Sequence, residues 1–219
     1  MKHEKMKKLT VLAMLSAIAY VAVALLRFPV VLFLSYEPKD VVIAIGGFLY
    51  GPLAALGISL VVSFIEMLTI SSTGWIGFVM NFLSSAAFAG TAALLYRKKR
   101  TQGSAIVGLF GGALLMTVLM LLWNYLITPI YMGMDREEIV VPMLIPVFLP
   151  FNLVKGGLNM ALILLLYKPV VTALRKARLV PESHAPVEGK GKLGAGFLLF
   201  SLALLATFVV LALVLMGIL

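Results

Sequence analysis

VVIAIGGFLYGPLAALGISLVVSFI, Val41 to Ile65, carries no charged residue and has Gly51-Pro52 near its middle. It reads as one kinked helix or as two helical legs, and the choice fixes the sidedness of everything after it. One helix would leave the run Arg97-Lys98-Lys99-Arg100 on the outer side after the next span, Trp75 to Tyr96. Two legs joined at Tyr50-Gly51-Pro52 put that run inside. Basic residues flanking membrane spans stay on the cytoplasmic side, which selects two legs. Gly next to Pro also marks a chain break. Ten residues of helix rise only about 15 Å against a hydrocarbon core of about 30 Å, so the first leg must be short or lengthened by the preceding loop.

The same logic extends along the chain. It has 219 residues, is 62% hydrophobic and 12% charged, and has a mean hydropathy of +1.10. Its apolar runs are too long for a water-soluble core, which identifies an all-α integral membrane protein. The net charge of +9 does not signal nucleic-acid binding. Fourteen of the 18 basic residues fall in three groups beside apolar runs, at positions 2–8, 97–100 and 168–192, without interleaved aromatics. That is the pattern of cytoplasmic flanks.

Residues 1–8 form a basic cytoplasmic N-terminus, and the first span runs from Leu9 to Leu26. The basic start and Ala22-Val23-Ala24 imitate a secretory signal, but the apolar run exceeds a usual signal core. Ser104 to Ile127 crosses outward, and Thr128 to Val141 is an outer loop with Asp135, Arg136, Glu137 and Glu138. Leu144 to Tyr167 returns inside, with Pro150 in its first helical turn at the outer boundary. A membrane domain over 9–178 is thus followed by a polar cytoplasmic linker, 179–192, and a seventh apolar run, 193–219. The chain has no cysteine, and His3 and His184 lie in charged flanks, so neither disulfides nor a metal site is expected.

Polar groups inside the spans are costly. A charge at the bilayer centre costs about 2.5–3.5 kcal/mol on insertion scales, and Lys155 and Glu66 are the two exceptions. Asn152, Lys155 and Asn159 fall at i, i+3 and i+7 on one helical face. Ser59, Ser63 and Glu66 share a face of the third helix, and Asn81, Asn124 and Tyr125 lie at similar depth towards the outer side. Thr69, Ser71, Ser72, Thr73 and Trp75 surround the loop above them. Each alone is compatible with helix-to-helix hydrogen bonding, and Lys155 with snorkelling. Their common depth points to an outward-facing pocket.

Several segments carry a resemblance. AMLSA at Ala13 to Ala17, YGPLAALG at Tyr50 to Gly57, Asn81-Phe82, NYLITPIY at Asn124 to Tyr131 and PFNLVKG at Pro150 to Gly156 stand in this order. In them the chain resembles the substrate-binding S components of the energy-coupling factor vitamin transporters, most closely the riboflavin-specific kind. The resemblance implies a six-helix core with a short second helix, to which the seventh apolar run is an addition. It implies a multi-pass protein of the bacterial plasma membrane that binds riboflavin, or a related flavin, as transported ligand rather than cofactor. Asn124, Asn152 and Lys155 match flavin-contacting positions, and Asn81 another pocket position. Phe28 to Asp40, with Tyr36, resembles the loop that closes over the pocket. Glu66 and the stretch Ser35-Tyr36-Glu37-Pro38-Lys39-Asp40 depart from the family's usual residues.

The resemblance also implies partners: a transmembrane coupling subunit and two ATPases, with Ala13 and Ala17 at the contact. Small residues four apart let helices approach closely. The chain itself has no phosphate-binding loop, since Gly189-Lys190-Gly191-Lys192 lacks the following hydroxyl residue and a preceding strand. Catalysis is not expected, because the spans hold no histidine, no cysteine and one acid, Glu66. The competing readings are an S component for another small vitamin or precursor and an ion-coupled transporter switching on Glu66 and Lys155.

Overall fold

A computed structural model describes residues 2–133, 135–180 and 194–219. Helix α1, Lys2–Leu26, leads into an antiparallel hairpin of β1, Phe28–Val31, and β2, Leu34–Tyr36. The hairpin pairs Phe28 with Tyr36 and Pro29 with Ser35, and it turns at Leu32-Phe33 with Leu32 in the left-handed region at φ 50°. No strand was expected here, because four and three residues give no readable alternation.

The Val41–Ile65 stretch does form two legs. Helix α2, Lys39–Tyr50, ends at Gly51, whose φ of 94° suits glycine, and α3, Pro52–Thr69, starts with Pro52 in its first turn. The legs fold onto each other: a methyl group at Gly47 would come within 3.0 Å of the Ala55 Cβ. At 12 residues, α2 is only about 18 Å long. It avoids spanning the bilayer by beginning beneath the hairpin, with Lys39 and Asp40 already buried in its first turn.

Helix α4 covers Gly74–Lys99 and contains a π-helical turn at Ala86–Gly90. Arg100, at φ 52°, and a capping box between Thr101 and Ser104 turn the chain into α5, Gln102–Leu126. The two helices nearly touch: a Cβ on Gly108 would lie 2.7 Å from the Ala92 carbonyl oxygen, and one on Gly112 would overlap that of Phe88. Backbone approach through small residues is how membrane helices gain packing energy where lipid offers no hydrophobic drive.

The expected outer loop, Thr128 to Val141, is largely helical instead. Thr128–Met132 forms the short helix α6, and α7 runs from Arg136 to Lys176, with Asp135 accepting from the Glu138 amide at 2.8 Å. Pro150 therefore does not open a helix at the membrane boundary, because the helical path begins well before it. Pro142, Pro146 and Pro150 stand four residues apart, and π-helical turns at Arg136–Val140 and Leu144–Phe148 absorb hydrogen bonds that proline cannot donate. Local sequence rules read Pro150 as a helix start and missed this adjustment.

Helix α8, Ala195–Leu215, is the seventh apolar run and packs along α7. Among the described residues six helices are long and apolar enough to cross a membrane, and α2 is the short addition to them. The 179–192 linker falls almost wholly on residues outside those described. Ile43, Ile58, Phe88, Leu109, Met116 and Ile163, from α2 to α5 and α7, form the fully buried centre.

Candidate functional site

Above this centre, at the hairpin end of the bundle, lies a cavity of about 220 Å³. Every element around it contributes: Phe33, Leu34 and Ser35 from the hairpin, Glu66 from α3, Ser71 to Thr73 from the following loop, Met80 and Asn81 from α4, Trp123 and Asn124 from α5, Thr128 and Tyr131 from α6, and Asn152 and Lys155 from α7. The fold thus brings together five of the residues singled out in the sequence: Glu66, Asn81, Asn124, Asn152 and Lys155. Tyr36 and Asn159 do not line the cavity. Both are buried behind its wall, where the Tyr36 hydroxyl donates to Asn159 Oδ1 at 2.8 Å. Burial, with a smaller push from the Asp40 charge, raises the Tyr36 phenol above its ordinary range and keeps it a donor.

The amides have some valences fixed and others left for a ligand. Asn124 donates to the Met120 carbonyl at 2.7 Å and accepts from the Thr128 hydroxyl at 3.0 Å, which locks its orientation and leaves an N–H available. Asn152 donates to the Phe148 carbonyl at 2.8 Å, leaving its oxygen. Among the described residues Lys155 Nζ has two long polar contacts, 3.4 Å to Ser84 Oγ and 3.6 Å to Asp40 Oδ2, and so keeps donor capacity towards the cavity.

Glu66 and Lys155 have different partners. Lys39 Nζ binds Glu66 Oε2 and also lies 2.8 Å from Glu37 Oε2, and Asn81 donates to the same Glu66 oxygen at 3.0 Å. Glu66 Oε1 has no hydrogen-bond partner among the described residues. Arg27 Nε stands 3.5 Å from Glu37 Oε1. On the other side Asp40 accepts from Ser85 through one oxygen and from Asn159 Nδ2 at 3.2 Å through the other, which also faces Lys155. By formal count the three bases Arg27, Lys39 and Lys155 match the three acids Glu37, Asp40 and Glu66. Burial opposes the ionisation of Glu37, but the charges of Lys39, Lys155 and Arg27 together with the Lys39 hydrogen bond outweigh it and hold its carboxyl below the ordinary value. The ion-coupled reading required Glu66 and Lys155 to switch as a pair, and the geometry supplies no such pair.

Glu37, Lys39 and Asp40 were missed as site residues. They sit in the stretch that departs from the family's usual pattern, where alternating charges look like a solvated loop. A signal was present: Lys155 and Glu66 each needed a buried counter-charge, and Glu37, Lys39 and Asp40 stand at the start of α2.

Comparison with known proteins identifies the family and agrees with the fold. The model of the family described as "ECF transporter, substrate-specific component" matches residues 7–170. The chain is 30% identical over 179 residues to the riboflavin transporter RibU of Staphylococcus aureus, covering 78% of this chain and 93% of that protein. It is 31% identical over 189 residues to the riboflavin transporter FmnP of Bacillus subtilis, covering 80% and 99%. A solved structure titled "Structure and mechanism of the S component of a bacterial ECF transporter" superposes with a TM-score of 0.66 at 31% identity, over 78% of this chain and 99% of that one.

Proposed function

The chain belongs to the family of substrate-specific components of ECF transporters, and from that premise we propose that it captures riboflavin in the outer cavity for uptake. It is a multi-pass membrane transport component and not an enzyme. The observation that carries the riboflavin reading is the convergence of Asn124, Asn152 and Lys155 on one cavity, each with hydrogen-bonding capacity left over. The pyrimidine edge of a flavin alternates carbonyl acceptors with an N–H donor. An amide N–H from Asn124, the Asn152 oxygen and the Lys155 ammonium offer complementary groups for it.

Phe33, Met80, Met120 and Trp123 give an apolar enclosure for the dimethylbenzene end. Ser35, Ser71, Ser72 and Thr73 offer hydroxyls to the ribityl chain. The charge balance of the surrounding cluster favours the uncharged vitamin over a phosphorylated flavin. Asn81 acts with Glu66 as one wall of the site. Tyr36 and Asn159 hold that architecture from behind.

Energy comes from outside the chain in this reading. Ala13 and Ala17 are exposed on α1, where a transmembrane coupling subunit would pack, with two ATPases beneath it. The N-terminus and the basic run Arg97 to Arg100 face the cytoplasm, and the hairpin faces outward. The test is direct. Purified protein should carry a yellow flavin absorbance released on denaturation, and riboflavin should be quenched in a fluorescence titration. A colourless protein that quenches no riboflavin overturns the ligand assignment.

A further inference from the structure

Helix α8 lies beyond the residues matched by the family model, yet its buried stripe does not end on α7. Leu205, Phe208, Ala212 and Leu215 fall at i, i+3, i+7 and i+10, on one face. That face joins Val30 and Tyr36 of the hairpin and Phe151, Val154 and Leu158 of α7 in a single apolar cluster separate from the main core. Phe208 is keyed into place by Gly157, where any Cβ would overlap its ring. The rest of α8 is open to lipid, with only 11% of its most apolar stretch buried.

The consequence concerns the hairpin. A two-stranded hairpin is marginal alone and needs a surface to rest on. Here one side of it lines the cavity through Phe33, Leu34 and Ser35, while Val30, 4% exposed, is held from the other side by α7 and α8. Among the described residues it is also tied by the Tyr36–Asn159 hydrogen bond, the Arg27 and Glu37 charges at its base, and a tilted ring contact between Phe33 and Phe148 at 6.0 Å.

We propose that α8 is a clamp on the ligand gate: Phe208 and Ala212 are positioning residues that hold the β1–β2 hairpin closed over the cavity. The clamp sets how fast ligand leaves without touching it. This rests on reading the cavity as the riboflavin site.

The chain, free of native cysteine, suits the experiment. Phe208→Ala should raise the riboflavin dissociation rate at least fivefold in stopped-flow fluorescence, with the association rate changed less than twofold. Val30→Cys with Ala212→Cys, joined by a short bis-methanethiosulfonate that forms a disulfide to each thiol with loss of methanesulfinate, should slow dissociation at least tenfold, and reductant should restore it. Wild-type dissociation rates in both proteins would overturn the clamp. Labelling of a cysteine at Leu34, which needs no flavin, gives a second readout: Phe208→Ala should speed it. If riboflavin fails to bind anywhere but that labelling accelerates, the ligand assignment falls and the clamp stands. Unchanged labelling counts against the clamp itself.

Discussion

Lys39, in the first turn of α2, is bound to Glu66, in the last turn of α3, at the ends of the two legs remote from Gly51-Pro52, both side chains almost completely buried. A charge pair in this setting stabilises only while both members are present, since each would otherwise be left in a medium that cannot solvate it. Lys39→Met should therefore destabilise the protein by about 3–5 kcal/mol, and Lys39→Met with Glu66→Leu should recover much of that loss. Tryptophan-monitored thermal unfolding in detergent, run as a double-mutant cycle, measures both. Additive losses would show that the two residues are not coupled.

Lys155→Ala should weaken riboflavin binding about 10- to 100-fold, the loss expected for a charge-assisted hydrogen bond of about 1.5–3 kcal/mol. Asn152→Ala should cost less, about fivefold, as a neutral contact. Asn159→Ala should instead lower the unfolding temperature more than the affinity, because it bridges Tyr36 and Asp40 behind the wall. Titration and melting of the three variants separate ligand contact from support. A snorkelling Lys155 would leave affinity at the wild-type value.

Acid should loosen the gate through Glu37. Its folded pKa lies below its unfolded value, so the stabilisation is fully present above the ordinary carboxylate pKa of about 4.3 and is lost as pH falls through the lower folded value. Unfolding measured against pH should thus show an acid slope that is shallower in Glu37→Gln. Identical slopes would remove Glu37 from the cause.

Gly108→Leu should prevent assembly of α4 against α5. The side chain would grow from a point already 2.7 Å from the Ala92 carbonyl oxygen, and backbone cannot give way as a flexible side chain can. Gly103→Leu, which meets nothing within 4 Å, is the matched control. Yield of monodisperse protein on size exclusion should collapse for the first and hold for the second.

Ala13→Phe and Ala17→Phe should abolish riboflavin uptake by cells while leaving the purified protein's affinity intact. Both residues are exposed on α1, so neither change disturbs the core. Loss of binding as well as uptake would mean misfolding rather than a lost subunit contact.

The amino-acid sequence by itself determined the membrane class, the order of the apolar runs and the division of Val41–Ile65 into two legs, but not where α7 begins. Those follow from local quantities: the length of apolar runs, the side on which Lys and Arg gather, and the backbone limits of Gly51 and Pro52. It also placed Asn152, Lys155 and Asn159 on one face, because helical periodicity is local. Tertiary structure alone decided which of those three reach the cavity and which charge each buried ion meets. Lys39 and Glu66 are 27 positions apart, and nothing in either segment specifies their distance. That distance depends on how α2 and α3 pack, on where the hairpin lies, and on α8 pressing upon it. Periodicity fixes the direction of a side chain about its own helix axis, but a buried charge finds its partner only through the crossing of separate helices.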